Sequence, residues 1–173
     1  MEKLSPKEAG LERIRDLDVL STIPEMLALQ VEKRPDAVGW KSWDPVKKSW
    51  RDWTFRQGYD EVQRWRHAFA GLGLTRGTRV AVLLPNCIDQ AALANALTPV
   101  PLHAIDTPKS SAYILNDSGA EVLVTNKKLK WRLVREAAEL PNLKLVVITD
   151  DDFADDPDAD IPMLSLETWL AKT

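Results

Sequence analysis

Four short runs rich in β-branched residues, over 80–84, 100–104, 122–125 and 145–148, alternate with stretches of helical character near 88–97, 108–117 and 128–140. Runs that are apolar at nearly every position have no polar face to turn to water. The strands they form must be covered on both sides, and the intervening helices are the available cover. Strands joined in this way run parallel, because a helix returns the chain to the starting edge of the sheet. The pattern predicts an α/β fold: a parallel-rich sheet of βαβ units with flanking helices.

The residues ahead of this alternation carry other periods. Ser21-Thr22-Ile23-Pro24-Glu25 reads as a helix start, with a hydroxyl cap, an early proline and a carboxylate near the positive end. Ile23, Met26, Leu27 and Val31 then recur at helical spacing up to Arg34, where Pro35 stops the helix. Two aromatic-rich runs, 37–43 and 49–54, flank Asp44-Pro45-Val46-Lys47-Lys48 and read as a β-hairpin. Thr54 is placed to cap a further helix, whose Phe55, Tyr59, Val62, Trp65, Phe69 and Leu72 hold the helical period until Gly73. Residues 1–21 read as a charged lead-in and 22–173 as a single α/β subdomain.

A chain of 173 residues can remove roughly 70% of its unfolded surface from water, enough for one real core. The net charge of −3 exerts no global pull toward nucleic acid or an anionic membrane. With one cysteine, Cys87, no internal disulfide forms, and His67 and His103 are too far apart to give zinc-ligand spacing. No segment approaches the ~18 apolar residues of a membrane span, and the lead-in has no apolar signal core. A cytoplasmic setting is the simplest expectation, with room for peripheral contact at a membrane surface.

In open α/β sheets, ligands gather at the carboxyl ends of the strands. Here that rim holds Asn86, Asp106, Thr107, Asn126, Thr149 and Asp150. The strand over 80–84 leads through Pro85-Asn86 into Cys87-Ile88-Asp89 without a glycine, so it does not open a glycine-rich phosphate turn. Helix capping is the expected role of Asn86, Thr107 and Asn126. Gly71-Leu72-Gly73 with Gly77 ends a helix rather than following a strand, which excludes the dinucleotide fingerprint.

The remaining constellations each have a plain reading. Asp150, Asp151, Asp152, Asp155, Asp156, Asp158 and Asp160 lack the mid-loop glycine and closing glutamate of a calcium loop. No acidic pair follows the earlier strands to complete a phosphoacceptor pocket, so a solvated loop before a last helix over 165–172 is expected. Trp40, Trp43, Trp50 and Trp53, with Lys41, Lys47, Lys48, Arg51 and Arg56 among them, suggest a stacking platform for single strands. Alternation opposes it: Trp40 and Trp43 lie on opposite faces of one strand, as do Trp50 and Trp53 of the other. His67 is expected on the surface and Cys87 as a small buried hydrophobe. A Cys87–His103 pair is the weak alternative. No residue is assigned to catalysis, cofactor binding or metal binding.

Taken in order, "TIPEMLALQVEKRPDAVG", "WRDWTFRQGYDEVQRWRHAFAGLGLTRGTRVAVLLPN" and "PVPLHAIDTPKSSAYILNDSGAEVLVT" resemble the N-terminal region of the acyl-adenylate-forming (AMP-binding) superfamily. The tryptophan-rich hairpin, "TIPEML" and "LPNLKLVVITDD" look most like long-chain fatty acid–CoA ligases. The resemblance implies ATP-dependent formation of an acyl-adenylate, loss of pyrophosphate, and transfer of the acyl group to coenzyme A, with magnesium assisting. It also implies that the catalytic loop and lysine lie beyond Thr173, since Thr107-Pro108-Lys109-Ser110-Ser111 has no glycine and cannot make the triphosphate loop. On this reading the chain is roughly the first third of the enzyme and inactive alone; the rest of the large domain and the C-terminal domain are absent. Its partners would be fatty acid, ATP and coenzyme A, with a homodimer surface open and no nucleic acid. Between Asn86 and "VPL" the chain is about one helical turn short of the family pattern, which puts the packing of that crossover in question. A short-chain or aryl-acid activating relative, and a non-catalytic interaction module using the hairpin and acidic loop, are the rival readings.

Overall fold

The structure is a computed structural model and describes residues 22–44, 47–75, 77–149 and 159–171. Helix α1 (Ile23–Lys33) opens with a reciprocal cap. Thr22 Oγ1 accepts the Glu25 amide at 3.3 Å while Glu25 Oε2 accepts the Thr22 amide at 3.1 Å. Strands β1 (Val38–Asp44) and β2 (Ser49–Thr54) pair antiparallel, in the register Trp40↔Trp53, Lys41↔Asp52 and Trp43↔Trp50. Thr54 then caps α2 (Phe55–Gly71) with Gln57 in the same reciprocal manner, as its hydroxyl predicted. Gly73, at φ 64°, takes the left-handed turn that ends the helix.

Beyond this point lie β3 (Val80–Leu83), α3 (Ile88–Ala96), β4 (Val100–Pro101), α4 (Pro108–Ser118), β5 (Val122–Thr125), α5 (Lys128–Ala137), β6 (Leu145–Ile148), β7 (Met163–Ser165) and α6 (Leu166–Ala171). The five strands form one parallel sheet in the order β4-β3-β5-β6-β7. Alternate residues feed two cores. Val80, Val82, Val122, Val124 and Val147 face α1, α2, α3 and α6 through Leu27, Val62, Trp65, Leu93 and Trp169. Ala81, Leu83, Leu123, Val146 and Ile148 face α4 and α5 through Ala112, Leu115, Trp131 and Val134. The predicted α/β fold, with helices on both faces of a parallel sheet, is the fold observed.

Two elements depart from the sequence expectation. The strand expected over 100–104 shrinks to Val100–Pro101 at the sheet edge. Prolines at 99 and 101 cannot donate to a ladder, and a proline-bearing strand is tolerated at an edge. A single further bond, from the Leu102 amide to the Val82 carbonyl at 2.9 Å, continues the pairing. The short crossover does form a helix, the nine-residue α3. Its carboxyl end borders a groove of about 650 Å³ lined by Ile23, Pro24, Tyr59 and Leu97. The second departure is β7, three residues that sequence periodicity did not mark. The helix expected over 165–172 begins one residue later, with Ser165 Oγ accepting the Thr168 amide at 3.2 Å.

An aromatic cluster fastens α6 to α2. Trp65, fully buried, stacks on Phe69 with centroids 5.9 Å apart, and Trp169 of α6 meets both rings edge-on at 5.6 and 5.0 Å. The hairpin is fastened at Gly58 of α2, where any Cβ would fall inside the envelope of the Trp40 ring. Gly58→Ala gains helix propensity of about 1 kcal/mol but forces Trp40 off its seat. The expected result is a net loss of about 1–3 kcal/mol in urea unfolding; equal or greater stability would contradict this packing.

Candidate functional site

The parallel order β4-β3-β5 places a switch in winding direction between β3 and β5. The chain leaves β3 toward α3 on one face and leaves β5 toward α5 on the other, so the two loops diverge and a crevice opens between them. In open α/β sheets ligands gather at such a switch, which here falls between Asn86 and Asn126, with Thr125 fully buried beneath. The Thr125 hydroxyl donates to the Leu83 carbonyl at 3.2 Å, and the Thr149 amide donates to the Thr125 carbonyl at 2.9 Å. These bonds tie the carboxyl ends of β3, β5 and β6 into a rigid edge.

The rim residues divide by what they do. Thr107 caps α4, accepting the Ser110 amide at 3.2 Å, as expected. Asp106 closes its own turn by accepting the His103 amide at 3.2 Å. Asn86 and Asn126 correct the sequence reading, because neither caps. The capping positions fall one residue later, on Cys87 and Lys127, and neither helix start has a side-chain capping bond. Asn86 is exposed, whereas the Oδ1 of Asn126 is buried and finds no hydrogen-bond donor among the described residues. A buried acceptor without a donor costs roughly 1–3 kcal/mol. Asn126 is the signal that capping statistics concealed. Asp150 lies outside the described residues, as do the other aspartates of the acidic run except Asp160, which pairs with Arg135 at 2.9 Å.

A cleft of about 330 Å³ opens beside the crevice, between the hairpin and the start of α3, lined by Trp40, Trp53, Asn86, Cys87, Ile88 and Gln90. Burial pushes the Cys87 thiol above its ordinary range, and neighbouring Asp89 adds to the rise against backbone hydrogen bonds from Gln90 and Asp89. A thiol so shifted is no activated nucleophile, and His103 is not among the groups that perturb it. His67 is exposed, as expected.

Asp89, half-buried in the first turn of α3, carries the most informative electrostatics. Burial raises its pKa, and Glu61 on α2 raises it further. The indole of Trp65 and the Arg64 guanidinium oppose the rise. An acid whose folded pKa lies above its unfolded value destabilises the fold as pH rises from its ordinary 3.8 through the folded value. Asp89→Asn is therefore expected to raise the melting temperature at neutral pH and to flatten the loss of stability above that value. An unchanged pH profile of thermal unfolding would contradict the assignment.

Nothing among these residues builds a triphosphate cradle. The Thr107–Ser111 segment is taken up by the α4 cap, with the Thr107 and Ser110 hydroxyls 2.9 Å apart. Among the described residues no group of three acidic, histidine or cysteine side chains is placed to hold a metal ion.

Comparison with known proteins identifies the context. The family model described as "AMP-binding enzyme" matches residues 27–168, spanning the hairpin, the sheet and α6 up to Thr168. The phosphinothricin tripeptide synthetase PhsB of Streptomyces viridochromogenes is 29% identical over 146 residues, covering 81% of this chain and 11% of that protein. Three solved structures share the fold. A protein of Rhodopseudomonas palustris CGA009 assigned as a long-chain-fatty-acid CoA ligase gives a TM-score of 0.67 at 17% identity, covering 86% of this chain and 36% of its own. A mutant form of the coronafacic acid ligase of Pectobacterium brasiliense gives 0.71 at 15%, covering 86% and 29%. An anthranilate CoA ligase in complex with anthranoyl-AMP gives 0.68 at 21%, covering 92% and 28%. The chain thus spans about a third of each ligase and about a tenth of the synthetase. With the family model covering most of its length, the chain belongs to the AMP-binding enzyme family.

Proposed function

We propose that this chain is the N-terminal scaffold of an acid–CoA ligase that activates a long-chain fatty acid. The acid's carboxylate would attack the α-phosphate of ATP, release pyrophosphate and form an acyl-adenylate. The thiol of coenzyme A would then take the acyl group and release AMP. The observation that carries this reading is the family match over residues 27–168, which takes in the whole parallel sheet and its β3–β5 crevice. The fatty-acid assignment draws support from "TIPEML", the tryptophan-rich hairpin and "LPNLKLVVITDD".

In this scheme the chain contributes a rigid edge rather than reacting groups. The crevice between Asn86 and Asn126 is where the ligand meets it, and the buried Asn126 Oδ1 is the acceptor that a donor supplied by ligand or by further polypeptide would satisfy. The donors that surround a triphosphate, and the lysine that steadies the attacking carboxylate, come from polypeptide outside these residues. A second reading rests on the tripeptide synthetase similarity: the acid activated is an amino acid, and no fatty acid is used.

ATP–pyrophosphate exchange separates these readings. The 173-residue chain is expected to give no exchange above blank, and the product of the complete reading frame to give exchange that depends on palmitate and not on amino acids. Exchange by the short chain alone would overturn the scaffold assignment. Dependence on an amino acid would replace the fatty-acid reading with the second.

A further inference from the structure

The hairpin has two unlike faces. Trp40, Ser42 and Trp53 turn inward: the Trp53 indole donates to Ser42 Oγ at 2.9 Å, and Arg51 lies over the Trp53 ring at 3.7 Å. On the outward face Trp43 and Trp50 sit directly opposite one another, edge to face at 5.6 Å. They remain 50% and 64% exposed. Cross-strand pairing accounts for the one contact between these rings, yet it leaves most of their area in water. Beside them Lys41 is neutralised by Asp52 at 2.8 Å. Lys47 and Lys48, in the turn that follows, are exposed; the Lys47 amide donates to Asp44 Oδ1 at 3.0 Å, while neither ammonium group forms an ion pair among the described residues.

Two exposed indoles next to two ammonium groups that form no ion pair among the described residues match the chemistry of a bilayer surface. Tryptophan partitions to the headgroup level, with its ring among the acyl carbons and its N–H toward water. Lysines beside it meet lipid phosphates. We propose that the outward hairpin face of Trp43, Trp50, Lys47 and Lys48 docks the protein on anionic membranes. A second copy of the chain fits this face poorly, because two-fold pairing would set lysines against lysines. Single-stranded nucleic acid also fits poorly, because the two rings are inclined at 69° and offer no parallel stack for successive bases.

The inference goes beyond the ligase reading and stands apart from it, since vesicle binding needs no catalysis and adenylate formation needs no vesicle. The test is flotation of the full chain with vesicles of phosphatidylcholine alone and of phosphatidylcholine mixed with phosphatidylglycerol, with tryptophan emission recorded. Binding is expected only to the phosphatidylglycerol vesicles, with a blue-shifted emission and loss at high salt. The double variant Lys47→Gln/Lys48→Gln should weaken partitioning roughly thirtyfold, and Trp43→Ala/Trp50→Ala should abolish the blue shift. The lysine pair keeps the test decisive if loss of the indoles unsettles the hairpin. No flotation with anionic vesicles would overturn the proposal, as would flotation that neither double variant alters. Dimerisation that Trp43→Ala/Trp50→Ala abolishes, without vesicle binding, would assign the face to a second copy. Binding to a single-stranded oligonucleotide without vesicle binding would assign it to nucleic acid.

Discussion

Strand β3 cannot exist in water. Each of Val80, Ala81, Val82 and Leu83 is at most 3% exposed, and the strand is hydrogen-bonded on both edges, to β4 and to β5. A strand hidden on four sides is covered here by parallel neighbours, two layers of helices, and crossovers long enough to reach from one end of the sheet to the other. α1, α2, α3 and α6 form one layer, α4 and α5 the other. The crevice follows from the same constraint: helices leaving β3 and β5 for opposite layers must part at the carboxyl ends of those strands.

Where structure is dictated locally, the sequence was readable. Val122–Thr125 and Leu145–Ile148 are continuous apolar runs and fold as the strands expected, residue for residue. Thr22, Thr54 and Thr107 cap because each places its hydroxyl three residues before an amide that needs an acceptor. The division of the four hairpin tryptophans into an inward and an outward pair follows from strand alternation, and the register confirms it. What was not readable depends on contacts made at long range. Met163–Ser165 becomes a strand only because β6 offers a free edge, and Trp169 is placed by Trp65 and Phe69, about a hundred residues earlier. At 86 and 126 an asparagine close to a helix looks like a cap, but the helices begin at Ile88 and Lys128, which puts the capping positions on Cys87 and Lys127.

The same distinction bears on function. Family membership is legible because the sheet and its helices run through the whole matched segment, 27–168. The choice of acid is not a property of that sheet: ligases named for a long-chain fatty acid, coronafacic acid and anthranilate share its fold at 15–21% identity. The structure separates two surfaces with different work. The carboxyl ends of β3, β5 and β6 are tied together by the Thr125 and Thr149 bonds. The outward hairpin face is aromatic, cationic and exposed, suited to meet something large and soft.

The most direct test of the scaffold account is hydrogen–deuterium exchange on the product of the complete reading frame, with and without ATP and palmitate. The account predicts slowed exchange at amides of residues 84–90 and 125–131, which flank the crevice, and no change in the interior of β3 and β5. Slowing confined to other parts of this chain, with neither loop affected, would contradict the claim that the β3–β5 crevice is where ligand meets the scaffold.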